Sequence, residues 1–552
     1  MKIALAQYNP VVGDIANNSD RMAELIDAAA DAGADLVVFS ELSIVGYPPR
    51  DLLRKDSFVA DNLAALDKLA ARSQKIAALV GFVRPTPGDA GRPLQNAAAL
   101  LAGGEVRHIH VKALLPTYDV FDETRYFEPD GDGRCIHLGR ERFGLTICED
   151  LWDAAALGRE LYGADPIGRL AADKPCFIIN MAASPYQAGK VALREELFAR
   201  QARRAGCPIV YVNQLGGNDD LVFDGTSCVV DAEGKIIGRA KSFESDLLVV
   251  DLEAGAGRVE PLAEPIDRLA GAIELGLRDY VTKCGFERVV LGLSGGIDSA
   301  LVAALAAEAL GPRNVLGLAM PSRYSSDHSL ADARELAANL GIEYQEVPIE
   351  PMHKAYEQAL DSRLAGGNTD AASENIQARI RGNIVMAYSN AFGHLPLATG
   401  NKSELSCGYC TLYGDMAGGL APIGDVLKTE VYALSRRINE NAGRSIIPQS
   451  TITKPPSAEL KPGQVDQDKL PPYDLLDAIL QRYIEEERTA GDIVSEGFDP
   501  AVVSRVIQMV DRAEYKRKQA APVLKVTARA FGTGRRMPIA QRYVPAARPW
   551  QE

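Results

Sequence analysis

The chain has 552 residues, enough for two or more domains, with 47% apolar and 24% charged residues as in globular proteins. Its net charge of −14 argues against a non-specific nucleic-acid surface, though not against a local basic pocket. No apolar run reaches membrane-spanning length, the start "MKIALAQYNP" lacks a signal-peptide core, and eight cysteines are scattered without a disulfide framework. A reducing cytoplasm is the expectation.

The first half alternates strand-like and helical runs. "KIALAQY" precedes the helical "NNSDRMAELIDAAADAGA", and "DLVVFSE" follows. Further strands are expected at "IAALVGFVRP", "NAAALLAGGEVRHIHVK", "RFGLTICEDLW", "PCFIINMAAS", "PIVYVNQLGG", "SCVVDAEGKIIGRA" and "SDLLVVDLE". So many strands with helices between them predict a layered α-β-β-α sandwich over residues 1–252. Residues 253–265, "EAGAGRVEPLAEP", lack periodicity and read as a linker.

Residues 266–552 form the second predicted domain. It opens on a helix, and then "RVVLGL", "NVLGLAMP" and "IEYQEVPI" alternate with helical stretches. This is the βαβαβ rhythm of a doubly wound parallel sheet. Within "VVLGLSGGIDSALVAALAAEAL", two glycines follow a strand and open a helix, so backbone amides can approach an anion. Ser294 and Ser299 add hydroxyl donors. Asp298 would repel a bare phosphate, so its presence implies a metal ion between carboxylate and phosphates. A P-loop would need GxxxxGK[ST], which is absent, as is GxGxxG.

Ser294–Ser299 resembles the PP-loop of ATP pyrophosphatases, which cleave ATP between its α and β phosphates. The resemblance implies ATP binding by Gly292, Leu293, Ser294, Gly295, Gly296, Ile297, Asp298 and Ser299, with Mg2+ held by Asp298 and Glu404. Downstream, "SENIQARIRGNIVMAYSN", "LATGNKSELSCGYCTLYGDMAGGLAPIGDVLKTEVYAL" and "AEYKRKQAAPVLKVT" are similar to the NAD synthetases. That similarity puts Thr399 on ATP, Asn375 and Glu404 on deamido-NAD, and Lys516 near the nicotinate end. Arg379, with Arg381, suits phosphate recognition by its planar fork. Asp415 and Lys428 are further candidates.

In the first half, Glu41, Lys112 and Cys148 stand in order at strand ends. The sharpest surrounding motifs are "VFDETRYF" and "CEDLW". The set resembles the nitrilase superfamily, specifically glutaminase domains fused to NAD synthetases. Cys148 would attack the glutamine amide carbon, Glu41 would take the thiol proton, and Lys112 would stabilise the oxyanion and favour the thiolate. Glu123 fits the superfamily's second glutamate, and Tyr118, Ser184 and Lys190 would hold the amino-acid head of glutamine. The joined resemblances imply glutamine-dependent amidation of deamido-NAD, and a homo-oligomer, dimeric or larger. The alternatives are another PP-loop amidotransferase, such as one aminating xanthylate, and a non-catalytic scaffold.

Two features are set aside. Cys407 and Cys410 have CxxC spacing, but no second pair completes a tetrahedral metal set. His108 and His110 share a strand face without a third ligand.

Overall fold

A computed structural model describes residues 1–131, 133–364, 367, 369–461 and 463–543. The chain divides into two compact units, Met1–Ala263 and Glu264–Glu552.

In the first unit the chain forms β1 (Lys2–Gln7), β2 (Leu36–Val38), β3 (Ala77–Pro85), β4 (Leu94–Ala102), β5 (Glu105–Val111), β6 (Ile136–Leu138), β7 (Glu141–Ile147), β8 (Phe177–Ala182) and β9 (Ile209–Asn213). A hairpin of β10 (Leu215–Asn218) and β11 (Leu221–Asp224) follows, then β12 (Cys228–Val230), β13 (Ile236–Arg239) and β14 (Asp246–Asp251). One six-stranded sheet runs β14-β1-β2-β3-β4-β5 and the other β13-β12-β9-β8-β7-β6. The interior of each is parallel, β1-β2-β3 and β7-β8-β9, and the outer strands are antiparallel.

The period of two in β1 explains the layering. Ile3 and Leu5 join a core with Leu145, Ile178 and Val210 of the other sheet. Ala4 and Ala6 face Met22, Ile26, Leu66 and Leu69 of two helices, Ile15–Asp31 and Asp56–Arg72. The first helix is capped by Asp14, whose side chain accepts from Asn17 N–H, and it buries Met22, Leu25, Ile26 and Ala29 at helical spacing. Helix Lys190–Ala205 packs Leu197 and Phe198 into the core beside the second sheet. Truncating either would cost about 2–5 kcal/mol.

The expected linker is partly built into this unit. Asp251 and Ala256 exchange backbone hydrogen bonds, and Arg239 N–H donates to Arg258 O while Glu260 N–H donates to Arg239 O. A sequence without periodicity can still satisfy its backbone at a sheet edge.

In the second unit β15 (Val289–Gly292), β16 (Val315–Ala319), β17 (Glu343–Glu346) and β18 (Leu395–Leu397) pair in parallel in the order β17-β16-β15-β18. The strand order reverses between β15 and β18, and ligands bind open parallel sheets outside the strand ends at such a switch point. Helix Ile297–Leu310 follows β15. It is apolar all round and buried on nearly every side, packed on the sheet and on helices Pro265–Lys283 and Lys428–Ala442. A separate core around Leu476, Ile479, Val506 and Val510 joins the helices Tyr473–Leu480 and Pro500–Arg512. No helix among the described residues is long and apolar enough to cross a membrane.

Candidate active sites

Each predicted nucleophilic-site residue follows a strand of the first unit. Glu41 lies three residues after β2, Lys112 directly after β5, and Cys148 directly after β7, where it opens the short helical turn Cys148–Leu151. Glu123 opens the turn Glu123–Arg125.

The fold brings three of them into direct contact. Lys112 Nζ donates to Glu41 Oε1 at 2.7 Å and to both Glu123 oxygens at 2.8 Å. Glu41 Oε2 accepts from Ala183 N–H at 3.0 Å, and Tyr47 Oη donates to Glu123 Oε1 at 2.9 Å. Asn96 Nδ2 donates to Glu41 Oε1 at 2.7 Å. Burial pushes the Lys112 ammonium down, but Glu123 and Glu41 outweigh it and the net direction is up. Glu123 is pushed up to about 7 by burial, with Lys112 opposing and Glu41 adding to the rise.

Cys148 is buried and has a φ of 44°, a left-handed conformation uncommon for a residue with a side chain. Asp150 braces this corner. Its Oδ1 accepts from Ala113 and Leu114 N–H at 3.0 and 2.8 Å, and its Oδ2 from Ile147 N–H at 2.9 Å. One buried carboxylate thus ties the segment after Lys112 to the strand before Cys148. Lys112 acts in the direction that favours the thiolate, as expected, but it does not carry the balance. Burial, then Glu41, raise the Cys148 thiol well above its ordinary value, and Lys112 only opposes this. The resting sulfur is a thiol, so its proton must leave during attack.

Near Cys148, Tyr118 Oη donates to Glu149 at 2.9 and 3.0 Å, and Tyr162 Oη donates to Glu149 Oε1 at 2.9 Å. Ser184 is buried just after β8, and Asn213 Oδ1 accepts its N–H at 2.8 Å. Lys190 starts helix Lys190–Ala205. Its Nζ donates to Pro185 O at 3.2 Å and lies 5.6 Å from the Trp152 ring centre. His110 is buried with Nε2 3.9 Å from Asp150 Oδ2.

In the second unit the Ser294–Ser299 turn borders a cavity of about 610 Å³, within the range of small-molecule sites. Gly292, Leu293, Ser294, Gly296, Ile297, Asp298 and Ser299 line it. Gly295 lies behind, at φ +76°, where a Cβ would fall 2.2 Å from Ser329 O. Ser294 Oγ accepts from Gly296 N–H at 3.2 Å and lies 3.2 Å from Ser299 Oγ, so the turn is tied to the helix start.

Thr399, two residues past β18, lines the cavity from the other side of the switch point, as do Asn375, Glu404, Asp415 and Lys516. Asn375 Oδ1 accepts from Thr411 Oγ1 at 2.9 Å, and Lys516 Nζ donates to Gly408 O and Cys410 O at 2.7 and 2.6 Å. Arg379 is not brought into the lining: it is exposed, and its Nε donates to Leu412 O at 3.2 Å. Arg381, two residues on, lines the cavity instead and donates to Met320 O at 2.9 Å. Residues two apart on a helix point in different directions. Cys407 and Cys410 also line the cavity, and burial pushes both thiols up to about 12, away from the thiolate that metals and redox partners use.

Lys428, 1% exposed at its side chain, bridges Asp298 Oδ2 and Glu404 Oε1, the latter at 3.3 Å. Burial pushes Glu404 up to about 8, Lys428 opposes, and Asp298 and Asp466 add to the rise. One ammonium therefore faces three carboxylates. Among the described residues, no cluster of three or more His, Cys, Asp or Glu could hold a metal alone. Asp298 and Glu404 offer hard oxygen donors of the kind that suit Mg2+ completed by substrate phosphates.

Sequence reasoning passed over Tyr47, Asn96, Asp150 and Glu149. Asn96 left one signal, a buried polar residue that with Gln95 precedes the apolar run Ala97–Leu101 of β4.

Residues 269–520 match the NAD synthase family model and residues 2–259 the carbon-nitrogen hydrolase model. The chain is 49% identical to the glutamine-dependent NAD(+) synthetase of Synechocystis sp. over 98% of this chain and 99% of that one. It is 44% identical to the enzyme of the same name from Thermotoga maritima over 98% and 99%. A solved glutamine-dependent NAD+ synthetase from Acinetobacter baumannii, in complex with ADP, superposes with a TM-score of 0.78 at 39% identity, covering 98% of both chains.

Proposed function

Because the chain belongs to the glutamine-dependent NAD+ synthetase family, we infer that it is an enzyme amidating deamido-NAD to NAD+ with ATP and glutamine. The observation that carries the reading is that one chain holds both the buried Glu41–Lys112–Cys148 cluster and a nucleotide-sized cavity at the Ser294–Ser299 turn.

In the first unit, Cys148 sulfur attacks the glutamine amide carbon while Glu41 takes the thiol proton and passes it to the leaving ammonia. Lys112 donates to the oxyanion, and Glu123 holds Lys112 in place. Water, activated by Glu41, then releases glutamate from the thioester. Tyr118, Ser184 and Lys190 hold the amino-acid head of glutamine.

In the second unit, the Ser294–Ser299 turn and Thr399 bind ATP, and Asn375, Glu404 and Lys516 bind deamido-NAD. Arg379 is assigned to the dinucleotide for its phosphate-binding fork, and Arg381, which lines the cavity, has the better position for that role. A nicotinate carboxylate oxygen attacks the α phosphorus, the α–β bond breaks, and pyrophosphate leaves. Ammonia then displaces AMP from the acyl carbon. Asp298 and Glu404 would hold Mg2+, whose chemistry here is neutralisation of phosphate charge. Ammonia loses its nucleophilicity when protonated in bulk water, so the reading has it passed from one site to the other.

The reading also includes a homo-oligomer and a cytoplasmic setting, supported by the family resemblance and by the eight free cysteines. The test is incubation with ATP and glutamine plus either deamido-NAD or xanthylate. AMP, glutamate and NAD+ from deamido-NAD alone are expected. AMP only with xanthylate would favour the other amidotransferase.

A further inference from the structure

Asn96 lies in β4, is completely buried, and touches all three charged residues beside Cys148. Its Nδ2 donates to Glu41 Oε1 at 2.7 Å and lies 3.5 Å from Glu123 Oε2, and its backbone carbonyl accepts from Lys112 N–H at 2.9 Å. The amide has one sensible orientation, since reversed it would aim Oδ1 at two carboxylates.

That orientation leaves Asn96 Oδ1 without a hydrogen-bond partner among the described residues. An unsatisfied buried acceptor costs about 1–3 kcal/mol. The residues that follow, Ala97–Leu101, are all buried and apolar. A side chain selected for packing would match them, so the retained amide calls for a chemical explanation.

We propose that Asn96 is a positioning residue of the glutamine-hydrolysing site, its Nδ2 holding the Glu41 side chain in place to take the Cys148 thiol proton and keeping it apart from Glu123. The proposal rests on the glutaminase reading given above. Glu41 Oε1 is shared by Lys112 Nζ and Asn96 Nδ2, both at 2.7 Å, whereas Lys112 also spans both oxygens of Glu123 at 2.8 Å. Without the amide, Glu41 competes with Glu123 for one ammonium. The charged or titratable groups facing Glu41 are Lys112, Glu123, Cys148 and Tyr47.

The test compares full-length wild type, Asn96→Ala, Asn96→Asp and Cys148→Ala, each with glutamine and with ammonia as nitrogen source. Asn96→Ala is expected to lower kcat with glutamine on the order of 10²-fold, the scale of a misplaced catalytic group. KM for glutamine should stay near wild type, so that the loss falls on kcat and not on glutamine binding. Asn96→Asp keeps the shape, removes the donor and adds a third carboxylate, so it should fall at least as far. Both variants should keep ammonia-supported NAD+ formation. Wild-type glutamine turnover in either variant, a loss confined to KM for glutamine, or equal loss of both nitrogen sources in both, would overturn the proposal. Glutamine hydrolysis persisting in Cys148→Ala would instead remove the reading beneath it.

Discussion

The Lys112 ammonium sits 2.7 Å from Glu41 Oε1, and neither side chain exposes any surface to solvent. With Glu123 the cluster holds two carboxylates and one cation, so Lys112 is the charge that makes the arrangement tolerable. Lys112→Met should destabilise the first unit by about 3–5 kcal/mol, the range for removing one partner of a buried pair. Glutamate release should fall by about 10²–10³-fold with the loss of the oxyanion donor. Urea unfolding and a glutaminase assay check both. An unchanged midpoint would mean the cluster is not closed around this cation.

The protonated state of Cys148 has its own readout. Burial and Glu41 raise the thiol, so alkylation by a neutral haloacetamide without glutamine should keep accelerating as pH rises past 9. A rate that levels off near pH 6 would mean a resting thiolate, contrary to the balance of burial and charge at this site.

Glu404 links stability to pH in the second unit. Its folded carboxyl titrates at about 8, against an ordinary 4.5, mainly because it is buried. The folded state binds this proton more tightly than the unfolded state, so the contribution is complete below pH 4.5 and lost as pH rises through 8. Thermal unfolding of the second unit should therefore occur at lower temperature as pH is raised from 6 to 9, and Glu404→Gln should flatten that slope. A slope unchanged in the variant would assign the titration to another group.

Gly295 is fixed by space as well as by φ. A Cβ there would lie 2.2 Å from Ser329 O, so Gly295→Ala must displace either the turn or helix Asp327–Leu340. ATP–pyrophosphate exchange should fall by at least about 10²-fold, while glutamate release continues. Exchange at the wild-type rate would show that the turn does not depend on this approach.

Much of this molecule was legible in the residue order. Strand-then-glycine-then-helix spacing located the Ser294–Ser299 turn because that local pattern has few other uses, and Glu41, Lys112 and Cys148 could be singled out because each closes a strand-like run. What escaped depends on contacts distant in sequence. Asp150 accepts from backbone groups 36 and 37 residues away, and Asn96 from β4 meets Glu41 from the loop after β2. Burial escaped as well. Lys112 beside a cysteine reads as a thiolate-stabilising cation, and it is one, but burial and the enclosing carboxylates, which the residue order does not show, outweigh it. Arg379 and Arg381 are alike in sequence, and helical geometry alone separates them.

On the proposed function, nitrogen transfer joins two chemistries in one chain, and Cys148→Ala separates them. NAD+ formation from deamido-NAD and ATP is measured with glutamine and then with ammonia. Loss of glutamine-supported synthesis by several orders of magnitude, on the scale of deleting a catalytic nucleophile, with ammonia-supported synthesis retained, is the expected result. Glutamine-supported synthesis at the wild-type rate in the variant would contradict it.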